Sequence, residues 1–223
     1  MPRSVRPDPR CAGVDGCPGG WLVASRDGVS VVPLIGTVIN GFDVIGIDMP
    51  IGLPVDRPRR SDIEARQYLR PRGSTVFPAP PRACIGATEY AQACALARRA
   101  TGKAISIQAW NIVPKIVELD ACVSPGHEHR VAEMHPECSF LMMNVGVALT
   151  SKHVSLGREQ RSALVRQYFD VTPTAPRGAR LDDVLDAYAL LWSAERFARE
   201  EHRTFPAGDP DRDGRGLLMR IVV

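Results

Sequence analysis

The chain predicts an α/β fold: a mixed sheet with helices on both faces and a helical insertion. Three observations predict it. Residues 11–34 hold three short apolar runs separated by Gly-rich turns, the pattern of an antiparallel meander. Residues 43–48 form a nearly unbroken apolar run, as suits a central strand buried on both faces. Beyond residue 59 the periodicity becomes helical, with one further strand at 130–135.

Each element follows from local chemistry. Residues 1–10 are rich in Pro and Arg and read as a disordered lead. They lack the apolar segment of an export signal, so a cytoplasmic location is expected. Residues 11–15 predict a strand, 16–20 a Gly-Pro turn, and 21–25 the returning strand. Asp27-Gly28 signals a hairpin into a third strand at 29–34. The fourth strand is 43–48, after which Pro50, Pro54 and Pro58 end regular structure. Residues 59–125 read as the insertion. Its helices are expected at 61–69, at 88–100 with Thr88 as N-cap and Gly102 past the end, and at 106–123 with a kink at Pro114. The prolines between 71 and 82 predict a loop. The strand at 130–135 leads through Pro136 into a helix at 137–144. Helices at 157–169 and 181–202 flank a Pro/Gly loop at 172–180. The domain is thus expected to span 11–202. Residues 203–223 read as a loosely packed polar tail, with the composition of a small strand at 217–223.

Bulk composition narrows the function classes. The 223 residues are 44% hydrophobic and 24% charged, which suits one substantial core. No apolar run approaches the roughly 18 residues of a membrane span. Six cysteines contain no Cys-x-x-Cys and read as reduced, buried residues. Cys122, His127, His129 and Cys138 match no standard zinc-finger spacing. Net charge is only +3, yet residues 57–103 hold ten Lys/Arg against three acids. A basic segment of that kind suits a polyanionic partner such as nucleic acid, DNA or RNA alike, as well as a merely solvated helix surface.

Four carboxylates carry the chemistry. Asp15 and Asp48 each end an apolar strand, and Asp183 and Asp186 stand three apart at a helix start, on one face. Singly, each has a bland role: turn former, strand end or cap. Asp182 is assigned mainly to capping, Asp183 and Asp186 to the site. Together the four offer hard oxygen ligands for Mg²⁺ or Mn²⁺, the equipment for phosphodiester hydrolysis. Glu133 is expected on the fifth strand, sharing a face with His135, as a further catalytic candidate. Glu137 falls in a helix's first turn, where a carboxylate is favoured anyway. Arg70, Arg72, Ser74, Thr75 and Arg82 surround Gly73 in a loop suited to phosphates. Lys103, Ser106, Gln108, Lys115 and Lys152 are further substrate-binding candidates.

Five motifs in order carry a resemblance. They are Gly13-Val14-Asp15-Gly16-Cys17-Pro18-Gly19-Gly20-Trp21, Ile47-Asp48-Met49-Pro50-Ile51-Gly52-Leu53-Pro54, Arg70-Pro71-Arg72-Gly73-Ser74-Thr75-Val76-Phe77-Pro78, Glu133-Met134-His135-Pro136-Glu137 and Asp183-Val184-Leu185-Asp186-Ala187-Tyr188-Ala189. From residue 11 to 202 the chain resembles domain-of-unknown-function family 429, described as a predicted nuclease of the RNase H fold. The first and last motifs also resemble Holliday-junction resolvases of the RuvC type. That resemblance implies metal-ligand roles for Asp15, Asp48, Asp183 and Asp186, while the 59–125 insertion departs from it.

The reading is therefore a divalent-metal-dependent nuclease of RNase H-like fold, with Mg²⁺ or Mn²⁺ as cofactor and nucleic acid as substrate. An actin- or sugar-kinase-like phosphotransferase is the alternative suggested by the Asp-Gly turn. No Ser or Thr hydroxyl stands between Asp15 and Trp21 to serve it. A third alternative is a non-catalytic nucleic-acid-binding domain.

Overall fold

The computed structural model describes residues 8–223; of the lead expected at 1–10, residues 1–7 lie outside these. Strands β1 (Cys11–Cys17), β2 (Gly20–Ser25) and β3 (Gly28–Val32) form the expected antiparallel meander. Strands β4 (Val44–Ile47) and β5 (Val131–Glu133) add in parallel on the other side of β1. The sheet order is β3-β2-β1-β4-β5, so β1 and β4 are central.

Helices cover both faces. On one lie α1 (Ile35–Gly41) and α4 (Ile107–Cys122), over a core that includes Val14, Trp21, Ile45 and Ile47. On the other lie α5 (Pro136–Met143), α6 (Ser155–Phe169) and α7 (Leu181–Ala198), over Cys11, Leu22, Val44 and Ala132. From Val184 to Leu191 every residue of α7 is buried, as for a helix enclosed on all sides.

Glycine sets how closely α7 approaches. A Cβ at Gly13 would overlap the Ala187 carbonyl and the Leu191 amide. One at Gly46 would meet the Met134 sulfur and come within 3.0 Å of the Leu190 carbonyl oxygen. Gly13 and Gly46 are register partners on β1 and β4. The α7 backbone therefore rests directly on the two central strands.

The insertion contains α2 (Arg60–Tyr68), α3 (Tyr90–Thr101) and α4. Ser106 caps α4 by accepting from the Ala109 amide, and Pro114 is contained within that helix. The cap of α3 is not Thr88: the helix starts one residue later, at N-cap Glu89 without a side-chain cap bond, while the Thr88 amide donates to Gln92. Helix α1 was not foreseen. At seven residues, with neither an acidic residue in its first turn nor a side-chain cap, it carries few start signals.

Residues 203–223 are not a loose tail. Strands β6 (Thr204–Phe205) and β7 (Ile221–Val222) pair antiparallel, and Val222 bridges to Met134 beside β5. Leu217, Ile221, Val222 and Val223 are buried. The small strand expected at 217–223 is present as β7, while the polar Gly/Pro/Asp stretch before it concealed the packing of the rest. Among the described residues no helix is long and apolar enough to cross a membrane.

Candidate functional site: a carboxylate cluster on the α7 face

The two glycines that seat α7 also place the acids. Asp15 and Asp48 each lie two residues after one of them, on the same sheet face by strand alternation. The Asp48 amide donates to the Val14 carbonyl at 2.9 Å, which extends the parallel ladder and sets the two aspartates side by side. Adjacent strands are about 4.8 Å apart. Asp186 immediately precedes Ala187, whose carbonyl lies over Gly13, so its carboxylate is near enough for its charge to act on Asp15. It is 4% exposed.

The electrostatics record this crowding. Burial, then Asp48, Asp186 and Asp183, hold the Asp15 carboxyl well above the usual range. Burial pushes Asp48 up to about 6, with Glu137 adding to the rise and Lys152 opposing it. Asp186 is likewise pushed up to about 6 by burial, against the pull of Lys152. Lys152 reaches in from the α5–α6 loop, its Nζ donating to Asp186 Oδ2 at 2.6 Å. Asp186 Oδ1 is buried and has no hydrogen-bond partner. Among the described residues no three His, Cys, Asp or Glu side chains are gathered closely enough to enclose a metal ion.

Asp183 stands at the rim. Its Oδ2 accepts from the Arg180 amide at 2.8 Å, so Asp183, not Asp182, closes the α7 N-terminus. Its charge still acts on Asp15. One carboxylate thus serves as helix cap and as cluster neighbour.

Glu133 is a correction. Its register partner on β4 is Ile47, which packs in the core opposite α7, so Glu133 points away from the cluster. Arg59 grips it instead, Nη1 to Oε2 at 2.6 Å and Nη2 to Oε1 at 2.7 Å. Arg59 also holds Asp62, and the Ile51 amide donates to Glu133 at 2.8 Å. His135, beyond the strand end, does not share Glu133's surroundings. Burial lowers its pKa, and its charged neighbours are Glu137, Asp186 and Lys152.

The residue that reaches the cluster's edge from this motif is Glu137. Arg161 donates to both its oxygens, at 2.7 and 2.9 Å, and Arg72 lies 3.7 Å away. Arg161 was missed, although the sequence held a signal. It is fully buried on α6, one turn after Gly157 and one before Leu164 and Val165. An arginine on the apolar face of a helix needs an acid opposite.

The substrate candidates divide. Arg72 donates to the Leu149 carbonyl at 2.6 Å and borders the cluster through Glu137. The Thr75 carbonyl lies 3.3 Å from His135 Nε2, so the 70–82 loop does lie along the site. Arg70 and Ser74 are exposed. Arg82 is not a free phosphate ligand: it is paired with Asp120 and Asp213. Lys103 is exposed beyond the end of α3. Lys115 packs against Gly16, its ammonium 4.3 Å from the Trp21 ring centroid. The basic excess of 57–103 is therefore smaller at the surface than the sequence suggests, since Arg59 and Arg82 are consumed by internal acids.

Residues 13–211 match the family described as Protein of unknown function (DUF429), and the chain belongs to that family. No curated protein and no solved structure matches the chain.

Proposed function

We propose that this member of the family is a divalent-metal-dependent nuclease hydrolysing phosphodiester bonds in nucleic acid. The observation that supports it is the charge imbalance on the α7 face. Asp15, Asp48 and Asp186 converge with Lys152 as the cation they share, and Asp186 Oδ1 is left buried and unbonded. Stability alone does not favour such a site, because buried like charges repel. A hard divalent cation suits an all-carboxylate donor set and would relieve the repulsion. The chain order of elements, three antiparallel strands, a fourth strand and one more strand among helices, is compatible with an RNase H-like domain.

Asp15, Asp48 and Asp186 would hold the cation, with Asp183 at the rim. Bound Mg²⁺ or Mn²⁺ supplies an activated water and a counter-charge for the phosphoryl oxygens. The chain's own groups do the rest. Gly13 and Gly46 fix the carboxylates through the close seat of α7. Arg161 keeps Glu137 oriented beside Arg72, leaving Arg72 at the edge to meet a phosphate. Neutral His135, within the field of Glu137 and Asp186, is suited to carry a proton at that edge.

The test is a panel of labelled single-stranded, duplex and branched DNA and RNA, incubated with Mn²⁺ and with EDTA. The reading expects Mn²⁺-dependent cleavage of at least one substrate. Metabolite-stimulated ATP turnover without nucleic-acid cleavage would instead support a phosphotransferase.

A further inference from the structure

We propose that the substrate of this site is single-stranded nucleic acid, its unpaired bases lying against apolar side chains on the two loops that border the carboxylates. This rests on the nuclease reading above and narrows it. The first loop, residues 70–77, meets the site through Arg72, 3.7 Å from Glu137, and through the Thr75 carbonyl, 3.3 Å from His135 Nε2. The second, residues 144–156, meets it through Lys152, bonded to Asp186 at 2.6 Å. Arg72 joins the two by donating to the Leu149 carbonyl. Both loops turn large apolar side chains to solvent. Phe77 is 46% exposed, Val145 90%, Val147 64%, Val154 48% and Leu156 54%.

The backbone beneath these side chains is held. On either side of Phe77, Arg66 donates to the Val76 carbonyl and the Ala79 amide donates to Asp62 at 2.9 Å. In the second loop, Arg161 donates to the Thr150 carbonyl at 2.8 Å and Arg158 to the Lys152 carbonyl at 3.2 Å. Val145 stands at φ +53°, a left-handed conformation that strains a β-branched residue. So exposed a side chain gains little burial within its own chain to offset that strain. Charge narrows what covers the apolar groups. Residues 70–77 and 144–158 hold Arg70, Arg72, Lys152 and Arg158, and no Asp or Glu. At a site that cleaves phosphodiesters, the partner must then be anionic and offer apolar surface as well. A duplex meets the first condition better than the second, because its bases are stacked on one another and it presents mainly phosphate and sugar. A single strand meets both, with phosphates for the cations and base faces to stack on an aromatic ring or cover aliphatic groups.

Binding measures this apart from catalysis. The probes are labelled oligo-dT, oligo-U and a mixed-sequence duplex of equal length, followed by fluorescence anisotropy in EDTA and in Ca²⁺. Wild type is expected to bind a single strand about tenfold or more tighter than the duplex. Phe77→Ser and Val147→Ser should each weaken single-strand binding and leave duplex binding unchanged, so the preference narrows. Arg70→Ala should weaken all three probes alike, because a phosphate contact does not distinguish them. Val145→Gly relieves the strained backbone, so it should melt no lower than wild type and still bind single strands less well. A purely structural role for Val145 would not give that combination. Wild type that binds the duplex as tightly as either single strand would overturn the proposal. So would Phe77→Ser and Val147→Ser proteins that melt like wild type and keep its single-strand affinity. Wild type that binds none of the three probes would remove the nucleic-acid reading itself, a result distinct from lost preference.

Discussion

Two sets of buried acids lie on opposite sides of the same sheet, and they are treated in opposite ways. On the side opposite α7, Glu133 and Asp62 are matched by Arg59, which gives its guanidinium to both and donates as well to the Ile51 and Gly52 carbonyls. Asp62 accepts from the Ala79 amide at 2.9 Å besides. That network joins the segment after β4, the start of the insertion and β5, and its charges are answered. Under α7, Asp15, Asp48 and Asp186 share a single lysine, and one oxygen is left without a partner. Similar residues at similar depth therefore serve different ends. The first set contributes to the architecture; the second retains a charge deficit that a ligand can fill.

The largest expected effect separates the two sets by activity. Asp186→Asn should lower Mn²⁺-dependent cleavage by about 10³-fold or more, roughly 4 kcal/mol of barrier. Its melting temperature should not fall. Glu133→Gln, on the other face, should leave cleavage per folded molecule nearly unchanged. Equal losses in the two variants would break the distinction.

Stability should separate them in the reverse sense. Arg59→Leu strands Asp62 and Glu133 without their shared cation, and breaking such a pair costs about 3–5 kcal/mol. Urea denaturation measures it; a change below about 1 kcal/mol would show that the network does not hold the insertion.

This contrast also explains what was legible in the sequence. The strand-end aspartates and the Asp183/Asp186 pair were visible because short apolar runs mark strands and a three-residue spacing marks a helix face. Gly13-Val14-Asp15 and Gly46-Ile47-Asp48 held a further signal, the repeated Gly-x-Asp that seats α7 and aims both acids. Glu133 was misplaced because strand alternation gives a face only relative to its neighbours. The β4–β5 register, which sends Glu133 with Ile47, is a long-range fact. Arg59 and Arg82 looked like surface charge because an acid that buries each of them is distant: Glu133 and Asp213 lie far along the chain, and Asp62 alone stands close to Arg59. The packed C-terminal segment was obscured for the same reason, its Asp213 accepting from the distant Leu53 amide and Arg82.

The pH dependence should be smaller but distinctive. The folded values of Asp48 and Asp186, about 6, lie above the unfolded ~3.9. The folded state thus keeps protons that the unfolded state has released. Their contribution is fully present below about pH 4 and is lost as pH rises through about 6. In EDTA at pH 7.5, Asp15→Asn should therefore stabilise the protein, since it relieves the repulsion. At pH 4.5 the gain should shrink towards zero. Saturating Mn²⁺ should reverse the order at pH 7.5, as only wild type gains from binding. A variant less stable than wild type in EDTA would refute the charge-deficit account.

The smallest effect concerns the loop. Arg70→Ala, at an exposed position, should alter stability by no more than about 0.5 kcal/mol and weaken nucleic-acid binding with a shallower salt slope. Arg82→Ala should instead destabilise through Asp120 and Asp213 and leave the salt slope unchanged. If Arg82→Ala alone flattened the slope, the assignment of Arg82 to its pairs with Asp120 and Asp213 would be wrong.

The most direct test of the central claim is the anomalous difference map of a crystal soaked in Mn²⁺ near pH 7.5. The account predicts a peak ligated by Asp15, Asp48 and the free oxygen of Asp186, with none at Glu133. A map with no peak at the cluster, at Mn²⁺ concentrations that occupy other carboxylates of the molecule, would contradict it.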